Sequence, residues 1–261
     1  MSEPAAFSME RVDMVFGPQQ VLRDVSVRIP AGQTVAIIGE SGCGKTVLLK
    51  LLVGLIAPTR GTVRFDGADI GRLSERELVR MRLRIGFLFQ SAALFDSMTV
   101  YDNVAFGLRA QRRLTEPQIA ERVRDRLAEV GLPNGSAGKT PGELSGGMKK
   151  RVGLARALAL DPEAMLYDEP TTGLDPIMTD VINRLIAEVR RRRPITSVIV
   201  THEMRTVRAV ADRVVMLYPL RRLKPGESQV IYDGPADGLE SHPDPRVRNF
   251  VVGNAEGVTP D

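Results

Sequence analysis

A single cysteine, Cys43, occurs among the 261 residues, so no disulfide can form within the chain. That fits a reducing compartment such as the cytosol. Long apolar runs are missing too. The greasiest stretch, Val47 to Ala57, is broken by Lys50, and it is far short of the roughly 20 apolar residues that span a bilayer. A role at a membrane therefore requires another chain to supply the spanning part. The first residues, Met1-Ser2-Glu3-Pro4-Ala5-Ala6, lack the basic start and apolar centre of a secretory signal. Excess charge is slight, with 36 Lys and Arg against 32 Asp and Glu, a formal +4. This balance argues against nucleic acid as the main partner and suits an anionic nucleotide or membrane surface. Repeats and low-complexity tracts are absent as well. The composition, 43% hydrophobic and 26% charged, is that of a soluble globular protein. The length allows one large domain or two small ones with a sizeable core.

What is present centres on Gly39-Glu40-Ser41-Gly42-Cys43-Gly44-Lys45-Thr46, which fits G-x-x-x-x-G-K-[ST] at every fixed position. Before it runs the β-branched segment Thr34 to Ile38, which reads as a buried strand. After it, Val47 to Gly54 has helical apolar spacing and a glycine stop. Strand, glycine turn and helix start make a phosphate cradle. Glycines let N–H groups point inward, and the helix N-terminus favours negative charge. Lys45 is positioned to reach the β- and γ-phosphates of a nucleotide, and the Thr46 hydroxyl to ligate Mg²⁺. Cys43 sits inside this cradle. A bulky thiol reagent is expected to block nucleotide binding there, and proximity to a helix N-terminus allows a lowered thiol pKa.

The remaining chain alternates strand and helix around a helical stretch. Residues 7 to 30 read as two strands joined at Gly17-Pro18, and Gly61 to Gly67 as an edge hairpin strand. Ser74 with Glu77 makes a capping box that opens a helix through Met81. Arg84 to Phe89 reads as a buried strand ending at Gln90. From about 91 to 160 the pattern is helical, with Ile119, Val123, Leu127 and Val130 on one face of a helix over 116–130. Strands follow at Ala164 to Tyr167, Ile195 to Val200 and Val214 to Tyr218, with helices at Pro176 to Arg193 and Thr206 to Ala211. This is an α/β core with a helical insertion. Arginines 190 to 193 read as a solvated helix end favoured by the dipole.

Two further stretches carry chemistry. Ala164-Met165-Leu166-Tyr167-Asp168-Glu169 is an apolar strand ending in two carboxylates. Beside a phosphate loop, Asp168 suits a Mg²⁺ ligand, and Glu169 suits the group that orients and deprotonates an attacking water. Leu144-Ser145-Gly146-Gly147-Met148 is a helix N-cap with permissive glycines, whose N–H groups and hydroxyl can also bind phosphate. One domain seldom needs two such cradles, so the second is suited to the ATP of a second copy.

Phosphate loop, Gln90, Leu144 to Met148, Asp168-Glu169, Gly173-Leu174-Asp175 and Thr201-His202 stand in the order found in ATP-binding cassette (ABC) ATPases. The chain resembles that family over about residues 7 to 240, with 241 to 261 as a C-terminal extension of uninformative, solvated character. The resemblance implies a P-loop NTPase fold of the ABC type, with an antiparallel β subdomain and a helical subdomain at about 91–160. It implies ATP hydrolysis by a head-to-tail dimer, with two ATP molecules between the phosphate loop of one copy (Gly39 to Thr46 and Val47) and the signature of the other (Ser145, Gly146, Gly147, Met148). By the same likeness Lys45, Glu169 and His202 are catalytic, His202 contacting the γ-phosphate. Thr46, Gln90 and Asp168 serve Mg²⁺, Gln90 also sensing the membrane partner. Asp175 couples the two sites, and Phe16 stacks on adenine.

Met148 stands where most of the family has Gln. With Gln90 to Val100 and Pro243 to Phe250, it makes the chain similar to the ATPase subunits of the Mla phospholipid transporters. That likeness implies a peripheral place on the cytoplasmic face of the inner membrane. The implied partners are an integral permease, an MCE-domain lipid-binding protein and a small STAS-domain protein. An ATPase for a small-solute importer, such as one for amino acids, and a soluble ABC protein outside transport are the alternative expectations.

Overall fold

The computed structural model describes residues 5–253. The chain opens with β1 (Ala5–Phe16), β2 (Gln19–Pro30) and β3 (Thr34–Ile38), then α1 (Lys45–Leu52). A hairpin of β4 (Arg60–Phe65) and β5 (Ala68–Asp69) leads to α2 (Glu75–Arg82) and β6 (Ile85–Leu88). Three helices follow: α3 (Val100–Gln111), α4 (Glu116–Glu129) and α5 (Gly146–Leu158). The last part runs β7 (Ala164–Asp168), α6 (Pro176–Arg192), β8 (Thr196–Val200) and α7 (Met204–Val210). It closes with β9 (Arg213–Leu217), β10 (Val230–Pro235) and α8 (Pro245–Val252).

Two compact units share this chain, one formed by the stretches up to Leu73 and from Val198, the other by Ser74–Ser197. In the first, the antiparallel order β2-β1-β4-β5 makes one sheet. Its inward side is apolar at Phe7, Met9, Val12, Leu22, Val25, Val27 and Ile29, alternating with exposed residues along β2 as a one-sided sheet demands. The 61–67 strand is therefore not an edge: β4 lies between β1 and β5, and the two-residue β5 forms the edge. Beside this sheet β3 pairs in parallel with β9, and β10 adds antiparallel to β9. Every residue of β3 is buried, which is why it reads as an unbroken β-branched run.

The tail beyond 240 holds a finding the sequence reading missed. Asp244 caps α8 through the Arg246 N–H, Pro245 occupies the first turn, and Gly253 ends the helix at φ +70°. Val247 and Val251 then pack with Ala36, Ile38, Val207, Val214 and Met216 in one apolar cluster. This segment contributes to the core and is not a solvated extension. Its spacing of four between apolar residues is a helical signal, but it spans only two turns.

In the second unit β6 runs parallel to β7, with Leu88 opposite Tyr167. Ser74–Glu77 caps α2 as expected, and Thr115–Gln118 supplies an equivalent box for α4. The arginine run divides. Arg190 to Arg192 form the last turn of α6, whereas Arg193 pairs with Asp161 at 2.8 Å and with Glu129 at 3.3 Å. Arg126, almost fully buried, bridges the same two acids, Asp161 at 2.5 Å and Glu129 at 2.6 Å. This network ties α4 and the end of α6 to the turn before β7. Among the described residues, no helix is long and apolar enough to cross a membrane.

Candidate functional site

The predicted residues fall into two sets, one in each unit. In the first, β3 ends at Ile38 and the chain turns through Gly39, Gly42 and Gly44 with φ of +143°, +80° and +101°. Side chains are strained in such backbone, and at Gly39 space forbids them as well, since a Cβ there would lie 2.3 Å from the Leu217 carbonyl oxygen. The loop thus packs directly on the end of β9. Lys45 opens α1 and is buried, its Nζ donating to the carbonyls of Gly39 at 2.8 Å and Glu40 at 3.0 Å. The ammonium is held over the loop it is expected to serve. Thr46 and Val47 follow, both half-buried.

Thr201 N–H donates to the Ile37 carbonyl at 3.2 Å. That bond places Thr201-His202 at the end of the sheet from which β3 enters the phosphate loop, with His202 exposed. Phe16, at the end of β1, is 45% exposed, large for a phenylalanine and fitting for an open stacking face. Beside the loop lies a cavity of about 540 Å³, walled by Gln19 to Val21, Ser41 to Cys43 and Pro219 to Arg221. Phe16 is not among its walls. The third wall carries no nucleotide-binding signature in the sequence.

Cys43 departs from the reactive thiol that its position allowed. It is 2% exposed, and burial pushes its pKa up despite the neighbouring Lys45 ammonium and backbone N–H donors. Desolvation outweighs the loop's positive field, so the thiol stays protonated and shielded.

In the second unit, Asp168 ends β7 and is buried. Glu169 follows with φ +48°, an uncommon conformation for a glutamate. Three groups hold it there. Its Oε2 accepts from Thr172 Oγ1 at 3.1 Å, and its carbonyl accepts from Lys150 Nζ at 2.9 Å and the Thr172 N–H at 3.4 Å. Lys150 lies buried on α5. It connects the signature helix to the acid pair. Gln90 is exposed, two residues beyond Leu88, and leaves β6 at the end where Asp168 leaves β7.

Ser145 caps α5, its Oγ accepting from the Met148 N–H at 3.3 Å. Ser145 and Gly146 are exposed, while Gly147 is buried with a virtual Cβ 2.4 Å from Met178 Cε on α6. Asp175 caps α6 through the N–H groups of Ile177 and Met178, both at 2.9 Å. Signature turn and Asp175 turn are therefore neighbours. No cluster of three or more His, Cys, Asp and Glu side chains suited to a metal occurs among the described residues.

The sequence profile of the ABC transporter family matches residues 22–172. The chain belongs to the ABC transporter family. Its cassette is 40% identical over 252 residues to the intermembrane phospholipid transport system ATP-binding protein MlaF of Escherichia coli, covering 97% of this chain and 90% of that one. It is 43% identical over 242 residues to the probable ribonucleotide transport ATP-binding protein mkl of Mycobacterium tuberculosis, covering 93% of this chain. The alignment spans 65% of that mycobacterial protein's length. Among solved structures, the ABC cassette MJ0796, a dimer in a post-hydrolysis state with ADP and Pi, superposes with a TM-score of 0.77 at 30% identity, over 88% of this chain and 98% of that one. The cbiO1 protein of Clostridium perfringens, part of the cbiONQ ABC transporter complex, superposes with a TM-score of 0.79 at 29% identity, over 96% and 97% of the two chains. The chain thus shares the ABC-type P-loop fold of these solved cassettes.

Proposed function

We propose that this chain is the ATP-hydrolysing subunit of an ABC transporter that moves phospholipid through a separate permease. For the substrate, the observation that carries the reading is the match to MlaF over nearly the full length of both chains. For the chemistry, it is the pairing of a glycine-turned phosphate loop that holds Lys45 with an acid pair at the end of a buried strand.

Each role is part of the proposal. Phe16 stacks on adenine, and N–H groups from Gly39 to Val47 with the Lys45 ammonium take the phosphates. Thr46, Gln90 and Asp168 hold Mg²⁺, which when bound neutralises charge on the β- and γ-phosphate oxygens. Glu169, fixed by Thr172 and Lys150, takes a proton from the attacking water, and His202 contacts the γ-phosphate. Ser145 to Met148 close on the ATP of a second copy, with Ser145 and Gly146 at the exposed start of the turn. Asp175, adjacent through Gly147 and Met178, links that turn to the neighbouring site. We place the ATPase domain at 7–240, its helical part at about 91–160 and the C-terminal extension at 241–261.

On this reading the protein works as a head-to-tail dimer on the cytoplasmic face of the inner membrane. Its further partners are a permease, an MCE-domain protein and a STAS-domain protein. The test is co-purification of the tagged full chain from detergent-solubilised membranes, with partners and lipids identified by mass spectrometry. A permease with an MCE-domain protein and bound phospholipid is expected. A permease with a solute-binding protein, or bound ribonucleotide in place of lipid, would overturn the substrate and leave the ATPase standing.

A further inference from the structure

Residues 218 to 229, between β9 and β10, are fastened to the phosphate loop at two points. At one, Arg222 Nη1 donates to both carboxylate oxygens of Glu40, at 2.6 and 2.7 Å. The pair is largely withdrawn from solvent, with side chains 15% and 27% exposed. At the other, the 1%-exposed Gln229 donates through Nε2 to the carbonyls of Cys43 and Val21, both at 3.1 Å. Its Oε1 accepts from the Arg23 N–H at 2.9 Å. Between these fastenings, Pro219 to Arg221 form one wall of the cavity beside the loop.

Glu40 has two opposed roles here. Its carbonyl helps hold Lys45, while its carboxylate places a negative charge in a loop built for polyanionic phosphate. In a partly buried setting that charge is poorly screened, and it opposes an incoming triphosphate unless a cation cancels it. Arg222 is that cation by geometry. One guanidinium nitrogen shared between the two carboxylate oxygens sets the opposite charges in direct, charge-assisted contact. Gln229 supplies a neutral fastening, so the segment stays attached if the charged one is removed.

We propose that Arg222 is a positioning residue for ATP binding, which cancels the Glu40 charge and fixes the outer part of the phosphate loop against the 218–229 segment. This rests on the reading of the loop as a nucleotide site. The experiment is titration of the full-length protein with Mg-ATP by calorimetry, alongside steady-state hydrolysis. It compares wild type, Arg222→Gln, Arg222→Lys, the double variant Glu40→Gln with Arg222→Gln, and Lys45→Ala as the control for the site itself. Arg222→Gln is expected to weaken ATP binding about 3–10-fold, more at low salt, and to raise KM while kcat stays within about twofold. Arg222→Lys should keep most of the affinity, and the double variant should regain it because the uncancelled charge is gone. The proposal is overturned if Arg222→Gln binds ATP as wild type does, or if the double variant remains as weak as Arg222→Gln. A wild type that binds no better than Lys45→Ala would instead sink the nucleotide-site reading. Melting temperature without nucleotide identifies a variant that has failed to fold, and Arg222→Lys then carries the test.

Discussion

The phosphate loop and the signature turn are both glycine turns that open a helix, and they are held in opposite ways. The loop starts α1 with no side-chain cap, from a left-handed Gly44. Its glycines press on backbone, Gly39 on Leu217 and Gly44 on the Val21 carbonyl and the Leu22 side chain. The signature turn is fixed by a side chain, Ser145, and its closest glycine contact is the flexible end of Met178. One turn is built into the core and the other is clipped to its surface. On the proposed dimer, the open turn is the one that meets the phosphate of another copy, and the embedded loop is the one that holds the phosphates of its own.

The largest expected effect probes the acid pair that follows β7. Glu169→Gln should retain ATP binding while turnover falls by on the order of 10²–10⁴, the size of a general-base contribution. Rapid hydrolysis by that variant would remove the base role from Glu169. Next comes the buried turn. Gly39→Ala combines a forbidden φ with a backbone clash, so it should destabilise the protein by about 2–4 kcal/mol in denaturant unfolding. An unchanged midpoint would mean the loop is far looser than its packing against β9 implies. On the surface turns, Ser145→Ala and Asp175→Ala should each cost about 1 kcal/mol, the ordinary price of a lost helix cap. Gly147→Ala should cost less than about 1 kcal/mol, because the Met178 methyl can swing aside. Equal losses for Gly39→Ala and Gly147→Ala would erase the contrast between the two turns. Finally, Cys43 should react with a bulky thiol reagent much more slowly in the native protein than in urea, whether or not ATP is present. Fast native labelling that ATP suppresses would place the thiol on an open pocket wall.

Local signals made the strands, the glycine turn and the caps around the candidate site legible. The fixed glycines, the buried β-branched run before them and the acids after Tyr167 each declare themselves within eight residues. The capping box at Ser74 and Glu77 was readable for the same reason. What escaped was bonded over long distances in sequence. Arg222 and Glu40 are 182 residues apart, and Gln229 and Cys43 are 186 apart. Neither residue type nor spacing marks such pairs before the fold brings them together. Lys150 was hidden differently, since a lysine in a basic run reads as solvated until its burial against the Glu169 carbonyl is seen. Cys43 shows the limit of reasoning from a helix N-terminus alone, because its burial prevails over the favourable field. The roles of Gln90, Asp175 and His202 came from family resemblance, and their positions at strand and helix ends are compatible with those roles.

The division of the chain has a consequence for its synthesis. The second unit is one unbroken stretch, but the first is made from two pieces separated by it. On the ribosome, residues up to Leu73 emerge with β3, apolar apart from Thr34, and without its partner β9, since the backbone of Thr34 awaits Asp212. The phosphate loop is made early yet lacks Leu217, Arg222 and Gln229 until those residues have been synthesised. At ordinary elongation rates that interval lasts roughly 10–30 s, during which an aggregation-prone strand stands uncovered. The loop thus gains its full set of contacts only once Gln229 is made, and a nascent chain stalled before that residue would carry the phosphate-loop sequence without them.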